Sequence, residues 1–316
     1  MVACGFPSFR LMDQAHSYRM VFCGNETPAQ VCLREFLSEP SIEIALVVHP
    51  DQDQGLRGVC QRFSLPAITF EELRKRGTGC LPTPPDLLLN VTTDFIFSDP
   101  FLAWPKLGAF NLHPGPLPRY AGFYPYVWSV INGESEHGVT LHRMTQRIDV
   151  GNVLAIATFP LTPRDTGLSV YTKCGLASRE VVKRLVEILR AGTLTETSQD
   201  LAQRKYYRRE VPFGARINFQ WPSEAVERFV RALDFRPFKN PLRTPWAACG
   251  ERVVECLDVE QASVAHRAAP GDIVAVDEEG PIVACGVGAV HIRTINGMPG
   301  REGWHCAGLG SAIRLS

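Results

Sequence analysis

The stretch Leu107-Gly108-Ala109-Phe110-Asn111-Leu112-His113-Pro114-Gly115-Pro116-Leu117-Pro118 decides how the chain reads. Leu107 to Leu112 is a short apolar run of the kind that forms a buried strand. The next five residues, Pro114 to Pro118, include three prolines and a glycine. Proline fixes φ and has no N–H for a sheet ladder, so the strand stops there. Asn111 and His113 are thereby held at its C-terminal edge by a stiff loop. In an open α/β sheet, ligands bind in the crevice outside the carboxyl ends of the strands. A second strand, Gly138-Val139-Thr140-Leu141-His142, leads into a loop ending in Asp149-Val150-Gly151. An amide, an imidazole and a carboxylate are therefore available from two loops.

Upstream, strands and helices alternate. Tyr18 to Cys23 reads as a strand, and Thr27 and Pro28 as the cap and first turn of a helix reaching Leu37. Glu43 to Val48 is a strand, Leu56 to Phe63 a helix, Pro66 to Thr69 a strand and Glu71 to Arg76 a helix. Gly77 to Pro85 is a glycine- and proline-rich loop before the buried strand Asp86 to Val91. Such alternation implies an α/β fold with a doubly wound, Rossmann-like parallel sheet. Gly24 belongs to no G-x-G-x-x-G, so a dinucleotide fingerprint is absent.

Downstream, Tyr126 to Asn132 is a helix, and Val139–Arg143 and Val153–Phe159 are strands. Asp165 and Thr166 cap a long helix whose apolar stripe is Leu176, Val181, Val182, Leu185, Ile188 and Leu189. Ser223 caps a further helix to Leu233, with Val226, Phe229, Val230 and Leu233 inward. Short, glycine-punctuated strands follow at Arg252–Asp258, Asp272–Val276, Ile282–Cys285 and Ala289–Thr294, the pattern of a small antiparallel barrel. The expected organisation is an irregular leader over 1–17 and a catalytic domain over 18–197. A linker over 198–222 then leads to a C-terminal helix and smaller β-barrel domain over 223–316.

Composition narrows the class. Of 316 residues, 45% are hydrophobic and 21% charged, with 33 basic and 33 acidic side chains. A general polyanion-binding surface is not expected from such a balance. The ten cysteines include no C-x-x-C pair, which points to a reduced cytoplasmic protein with buried thiols and no structural metal. No apolar run reaches the ~18 residues of a membrane span, so no membrane partner is expected. An oligomer is compatible with all of this.

Asn111-x-His113, the Pro-Leu-Pro turn, Gly122, Trp128, Asn132-Gly133-Glu134, Gly138-Val139-Thr140-x-His142 and Asp149-x-Gly151 together resemble the signature of the folate-dependent formyltransferases. That family includes methionyl-tRNA formyltransferase, amino-sugar formyltransferases and formylating domains of peptide synthetases. Its commoner form has Ser-Leu-Leu-Pro where this chain has Pro114-Gly115-Pro116-Leu117-Pro118. A looser likeness to the family's C-terminal domain runs through Val230-Arg231-Ala232, Pro270-Gly271 and Ala284-Cys285-Gly286-x-Gly288. The resemblance implies an N-formyltransferase drawing on 10-formyltetrahydrofolate, without a metal.

Formyl transfer to an amine develops negative charge on the former carbonyl oxygen and releases a proton. Asn111 can donate to that oxygen without titrating. His113, on the same strand face, can donate to it or carry the proton. Asp149 can orient His113 or accept the proton. By resemblance, the pterin lies against Phe95, Ile96 and Phe97 and the loop Arg147-Ile148-Asp149; the alternative is that Phe95 to Phe97 are simply core. His142 reads as structural, and the remaining histidines have no partner pattern.

The resemblance does not fix the acceptor. Methionyl-tRNA formyltransferases carry a basic loop after the second strand, where this chain has Asp51-Gln52-Asp53-Gln54-Gly55-Leu56-Arg57-Gly58. From residue 201 onward there are 15 Lys and Arg against 13 Asp and Glu, too even for a tRNA-binding domain. The basic cluster Arg204-Lys205-Tyr206-Tyr207-Arg208-Arg209 can meet a phosphate-bearing acceptor or be a solvated linker that packs its tyrosines. The expected acceptor is thus a small or carrier-tethered amine of specialised biosynthesis, such as an amino sugar, a hydroxyornithine-type precursor or a carrier-bound amino acid. Methionyl-tRNA is the alternative. Two further readings are a non-catalytic folate-binding protein and hydrolysis of the formyl donor.

Overall fold

The computed structural model describes residues 17–309 and 314–316. The leader expected over residues 1–17 lies almost wholly outside them. The N-terminal half runs β1 (Tyr18–Gly24), α1 (Glu26–Leu37), β2 (Ile42–His49), α2 (Gln54–Arg62), β3 (Ala67–Thr69), α3 (Phe70–Arg76) and β4 (Leu87–Val91). It continues with α4 (Asp99–Leu102), β5 (Gly108–His113), β6 (Ala121–Gly122), α5 (Pro125–Ile131), β7 (Glu136–Arg143), β8 (Val153–Pro160) and α6 (Gly167–Ala191). After β9 (Tyr206–Tyr207) and α7 (Ser223–Ala232) come β10 (Trp246–Cys249), β11 (Arg252–Ala262), β12 (Ile273–Asp277), β13 (Gly280–Ala284) and β14 (Ala289–Ile295). The last elements are β15 (Met298–Pro299) and α8 (Gly300–Cys306).

Seven strands form the first sheet, in the order β3-β2-β1-β4-β5-β7-β8. Strands β1 to β5 are parallel, as the alternation implies, whereas β7 runs antiparallel to both β5 and β8. The pleat sends alternate residues to opposite faces. Met20, Phe22, Leu87, Leu89, Phe110 and Leu112 pack on one side with α1 and α6. Val21, Cys23, Leu88 and Ala109 pack on the other with Leu73, Phe97, Phe101 and Trp104. Both faces are therefore covered, as a parallel sheet of near-continuous apolar strands requires.

The second sheet is antiparallel and six-stranded, in the order β10-β11-β14-β13-β12 with β15 on β14. Val226, Phe229, Val230 and Leu233 are buried as expected, and they join Val254, Cys256 and Ile292 in the same apolar cluster as the first sheet. Residues 198–222 contribute to it through Ile217 and Phe219. Strand β10, β15 and α8 carry no strong periodic signal and are additions to the sequence reading.

Three local expectations are corrected. Thr27 does not cap α1: Asn25 stands at the N-cap without a side-chain hydrogen bond, and the Glu26 N–H donates to Asp53 Oδ2 at 2.9 Å. Asp53 also caps α2 through the Leu56 N–H, so one carboxylate serves two helix starts. Ser223 is the first residue of α7 rather than its cap, and its N–H donates to the Val287 carbonyl at 2.9 Å. Leu176 leaves the apolar stripe of α6: it is 61% exposed, while Val181, Val182, Leu185 and Leu189 are buried. Thr166 does cap α6, in a reciprocal pair with Ser169.

Six of the nine described cysteines are buried and none is in a disulfide. Among the described residues no helix is long and apolar enough to cross a membrane.

The loop after β5 is held from beneath. The Pro114 carbonyl accepts from His137 Nε2–H at 3.0 Å and from the Cys174 thiol at 3.7 Å. Burial pushes the His137 imidazole down to about 4. The unfolded imidazole takes up its proton near pH 6.5, so folding loses ground as pH falls from 6.5 toward 4. The loss attributable to His137 is about 3 kcal/mol. In urea unfolding, His137→Phe should therefore show a shallower fall in stability than the wild type over this window. Equal slopes would remove this assignment.

Candidate active site

Three neighbouring strands each present one polar side chain at the same level. Asn90 on β4 pairs with Asn111 on β5, and Asn111 pairs with His142 on β7. Asn90 Nδ2 donates to Asn111 Oδ1 at 2.9 Å, and Asn111 Nδ2 donates to His142 Nε2 at 3.1 Å. Thr93 extends the row by donating its hydroxyl to Asn90 Oδ1 at 2.6 Å. His142 Nδ1–H is engaged by the Arg143 carbonyl at 3.0 Å, which leaves Nε2 as the acceptor. Asn111 is thus locked as to which end is carbonyl and which is amine. Its second N–H is left to the cavity.

His113 lies two residues along β5, so it shares the face of Asn111. Its ring is buried, and Nε2–H donates to the Tyr120 carbonyl at 2.6 Å. Nδ1 is therefore the nitrogen that can take a proton, and it stands 3.7 Å from Asp149 Oδ2. His142 Nε2 is 3.4 Å from Asp149 Oδ1. The Gly122 N–H donates to Asp149 Oδ2 at 2.8 Å. Asp149 itself takes a left-handed backbone, with φ 55°. Two glycines make this approach possible: a Cβ on Gly122 would lie 2.1 Å from the Tyr207 carbonyl oxygen, and one on Gly151 would lie 1.9 Å from that of Arg143.

Burial alone would raise the Asp149 carboxyl, but His113, His142 and the Gly122 N–H hold it well below the ordinary carboxylate range. Burial also pushes His113 below its ordinary value, against the pull of Asp149 and the Tyr120 carbonyl. Near neutrality the pair is a carboxylate beside a neutral imidazole.

Asn111, His113 and Asp149 line one wall of a cavity of about 890 Å3. All five expected cofactor contacts line it as well, but they divide in kind. Phe95 stacks on Phe70 at 4.8 Å between centroids and meets Phe97 edge-on, so these two belong to an aromatic core that the cavity touches. Ile96 is 70% exposed and Ile148 is 42% exposed, and Arg147 is exposed beside it. Among the described residues no group of three or more His, Cys, Asp or Glu is placed to hold a metal.

Asn90, Tyr120, Gly122 and His142 escaped the sequence reading as members of this network. For His142 the signal was present: it lies across the ladder from Asn111, and cross-strand neighbours on one face interact. The Arg204–Arg209 cluster packs one of its two tyrosines, while Tyr206 is exposed. Tyr207 is buried, stacked on Trp128 at 4.7 Å and Tyr120 at 5.5 Å. Arg209 binds Asp94 at 2.5 Å, lies over Phe123 and reaches the cavity wall.

Residues 79–186 match the model of the family described as formyl transferase, and residues 213–302 match that of formyl transferase, C-terminal domain. The chain is 30% identical over 295 residues to a methionyl-tRNA formyltransferase of Pseudomonas fluorescens (strain SBW25), covering 89% of this chain and 90% of that protein. Its fold is similar to that of an N-formyltransferase from Helicobacter canadensis solved with folinic acid and dTDP-3-aminofucose. That match has a TM-score of 0.66 and 19% identity, covering 86% of this chain and 98% of the other. It is also similar to HypX from Aquifex aeolicus solved with tetrahydrofolic acid, with a TM-score of 0.58 and 19% identity, over 89% of this chain and 44% of HypX.

The charge arrangement is testable without any substrate. In an NMR titration, the His113 ring should change state below pH 6.5. Asp149→Asn should move that midpoint further down, because it removes the neighbouring charge that favours the imidazolium. An upward shift would contradict the pairing.

Proposed function

The chain belongs to the formyl transferase family, and from that premise we propose that it moves a formyl group from 10-formyltetrahydrofolate to the primary amine of a small, nucleotide-linked or carrier-bound acceptor. The observation that carries this reading is the ordered set Asn111, His113 and Asp149 on the wall of a cavity large enough for a donor and an acceptor. The walls suit a reduced pterin with its aromatic tail: Phe95, Ile96, Met144 and Ile148 are apolar surfaces, and the exposed Arg147 supplies a positive charge.

When bound, the donor supplies a formyl carbon as electrophile and a ring-bearing nitrogen as leaving group. Asn111 donates its second N–H to the formyl oxygen as that oxygen gains charge. Its geometry is set beforehand by Asn90 and His142, so no reorganisation is needed at the moment of reaction. His113 Nδ1 takes the proton released by the attacking amine, and Asp149 stabilises the resulting imidazolium. His113 would then return that proton to the donor nitrogen as it leaves, after the amine has added to the formyl carbon. Atoms and charge balance without a metal.

Two features support a non-tRNA acceptor. Only Pro50 to Asp53 separates β2 from α2, and this segment is acidic. Arg57, the one basic residue of the neighbouring turn, is bound to Asp51 at 2.9 Å. The second reading, methionyl-tRNA, is favoured by the likeness to a methionyl-tRNA formyltransferase along nearly the whole of both chains. Salt separates them: neutralising six or more phosphates makes affinity fall about a thousandfold between roughly 50 and 200 mM salt.

Asn111→Ala, His113→Ala and Asp149→Asn should each lower turnover at least about a hundredfold. The rise in Tm given by 5-formyltetrahydrofolate should persist in each variant. In the wild type, kcat/KM should fall on the acid side with a midpoint below pH 6.5, since protonated His113 cannot take the amine proton. Near-normal turnover in any one variant would remove that residue's role. No folate-dependent shift in the wild type would remove the donor. Efficient, steeply salt-sensitive formylation of methionyl-tRNA alone would establish the second reading.

A further inference from the structure

Leu168, Tyr171, Thr172, Gly175 and Leu176 recur on α6 at i, i+3, i+4, i+7 and i+8, and all five line the cavity. That spacing is one face of a helix, and here the face turns toward the cavity instead of the sheet. It explains why Leu176, in the middle of an otherwise well-packed helix, is 61% exposed. The segment after α7 adds Phe235, Phe238 and Lys239 to the same cavity, with Phe238 69% exposed.

Gly175 supplies an independent observation. It lies in the interior of a 25-residue helix, a position where glycine is unfavourable relative to alanine. Gly55, Gly167 and Gly303 are explained by close packing and Gly58 of α2 is exposed, whereas Gly175 is buried and a Cβ on it would still meet nothing within 4 Å. No neighbour in the fold requires its smallness. The room left by its missing side chain belongs to the cavity.

The charges on these walls select the kind of occupant. Lys239 forms no ion pair among the described residues, whereas Arg209 is already bound to Asp94. Glu26 lines the cavity too and accepts a hydrogen bond from the Tyr171 hydroxyl, placing a carboxylate beside this helix face. With Arg147 assigned above to the donor, a diphosphate beside this helix face would meet one unpaired lysine and a carboxylate. An apolar chain with a single anionic group meets leucine, aromatic rings and that lysine.

Resting on the formyl-transfer reading above, we propose that this face of α6 seats the acceptor's body, and that the acceptor is a primary amine on an apolar stem bearing one carboxylate or similar anion near Lys239. Gly175 sets the width of the seat.

The probes are straight-chain ω-amino acids of increasing length, the matching alkylamines and a nucleotide-diphosphate amino sugar, each with 10-formyltetrahydrofolate. In the wild type, kcat/KM should rise with chain length among the first two sets and exceed that for the nucleotide sugar. Gly175→Leu should cut kcat/KM for the longer amines at least about tenfold, an effect within the range that one or a few misplaced methylenes produce. Its Tm should equal or exceed that of the wild type, since leucine favours the helix. If Gly175→Leu is unstable, Gly175→Ala replaces it, with a smaller loss in the same direction. Lys239→Glu should raise KM about tenfold for the ω-amino acids and leave the alkylamines unchanged, the pattern of lost ground-state binding. Indifference to chain length, unchanged kinetics in the glycine variants, an equal effect of Lys239→Glu on both amine sets, or preference for the nucleotide sugar would each overturn the proposal. So would failure to formylate any of the chain amines. A folate-induced Tm shift that persists alongside such a result sinks the seat alone; its absence in the wild type sinks the formyl-transfer reading itself.

Discussion

A carboxylate that is 7% exposed must have its lost hydration replaced, and the arrangement around Asp149 follows from that requirement. One backbone N–H donates to it and two imidazoles stand within 3.7 Å, each from a different part of the chain. His113 comes from the end of β5, His142 from β7, and the Gly122 N–H from β6. Strand β6 in turn pairs with β9, where Tyr207 is wedged among Trp128 and Tyr120. Removing the negative charge would leave His113 without the partner that favours its charged form. The carboxylate therefore organises the loops as well as the proposed proton path.

Strand direction matters to the same end. Because β7 runs antiparallel to β5, its residues pair one to one with Asn111 and His113, placing His142 and Thr140 directly across the ladder. Thr140 then donates to the Gly115 carbonyl at 2.8 Å and accepts from the Leu117 N–H at 3.1 Å. The proline-rich turn is thereby fastened to the strand beside it. With His137 and Cys174 on Pro114, the loop is pinned from both sides, and His113 cannot drift from Tyr120.

Much of this was legible in the chain. A strand terminated by prolines placed Asn111 and His113 on one face, and the alternation of strands and helices implied the parallel sheet. What was not legible depended on tertiary pairing. The direction of β7 is set by what it pairs with, so the Asn111–His142 contact could not be read from periodicity. Asn90 looked like an ordinary polar residue in a buried strand, because its partner lies on a neighbouring strand. Leu176 fitted an apolar stripe by spacing, yet it sits at the stripe's edge, where the helix overhangs a cavity rather than the sheet. The caps at Thr27 and Ser223 failed because Asp53 and the Val287 carbonyl, distant in sequence, satisfy those helix starts.

The cavity joins two regions held in different ways. Its reacting end is built on three adjacent strands, β4, β5 and β7, where hydrogen bonds fix each side chain from at least one side. Its far end is built from one helix face and the segment after α7, where contacts are apolar and several side chains remain exposed. Substitutions at Leu176, Phe238 or Lys239 change shape or charge there without touching the Asn90–Asn111–His142 row. On the proposed function, substitutions in that row would alter the donor presented to the reacting oxygen whatever acceptor is bound. On the proposed function, acceptor preference and formyl chemistry are carried by the two ends of one cavity, which lets the former vary while the latter keeps its geometry.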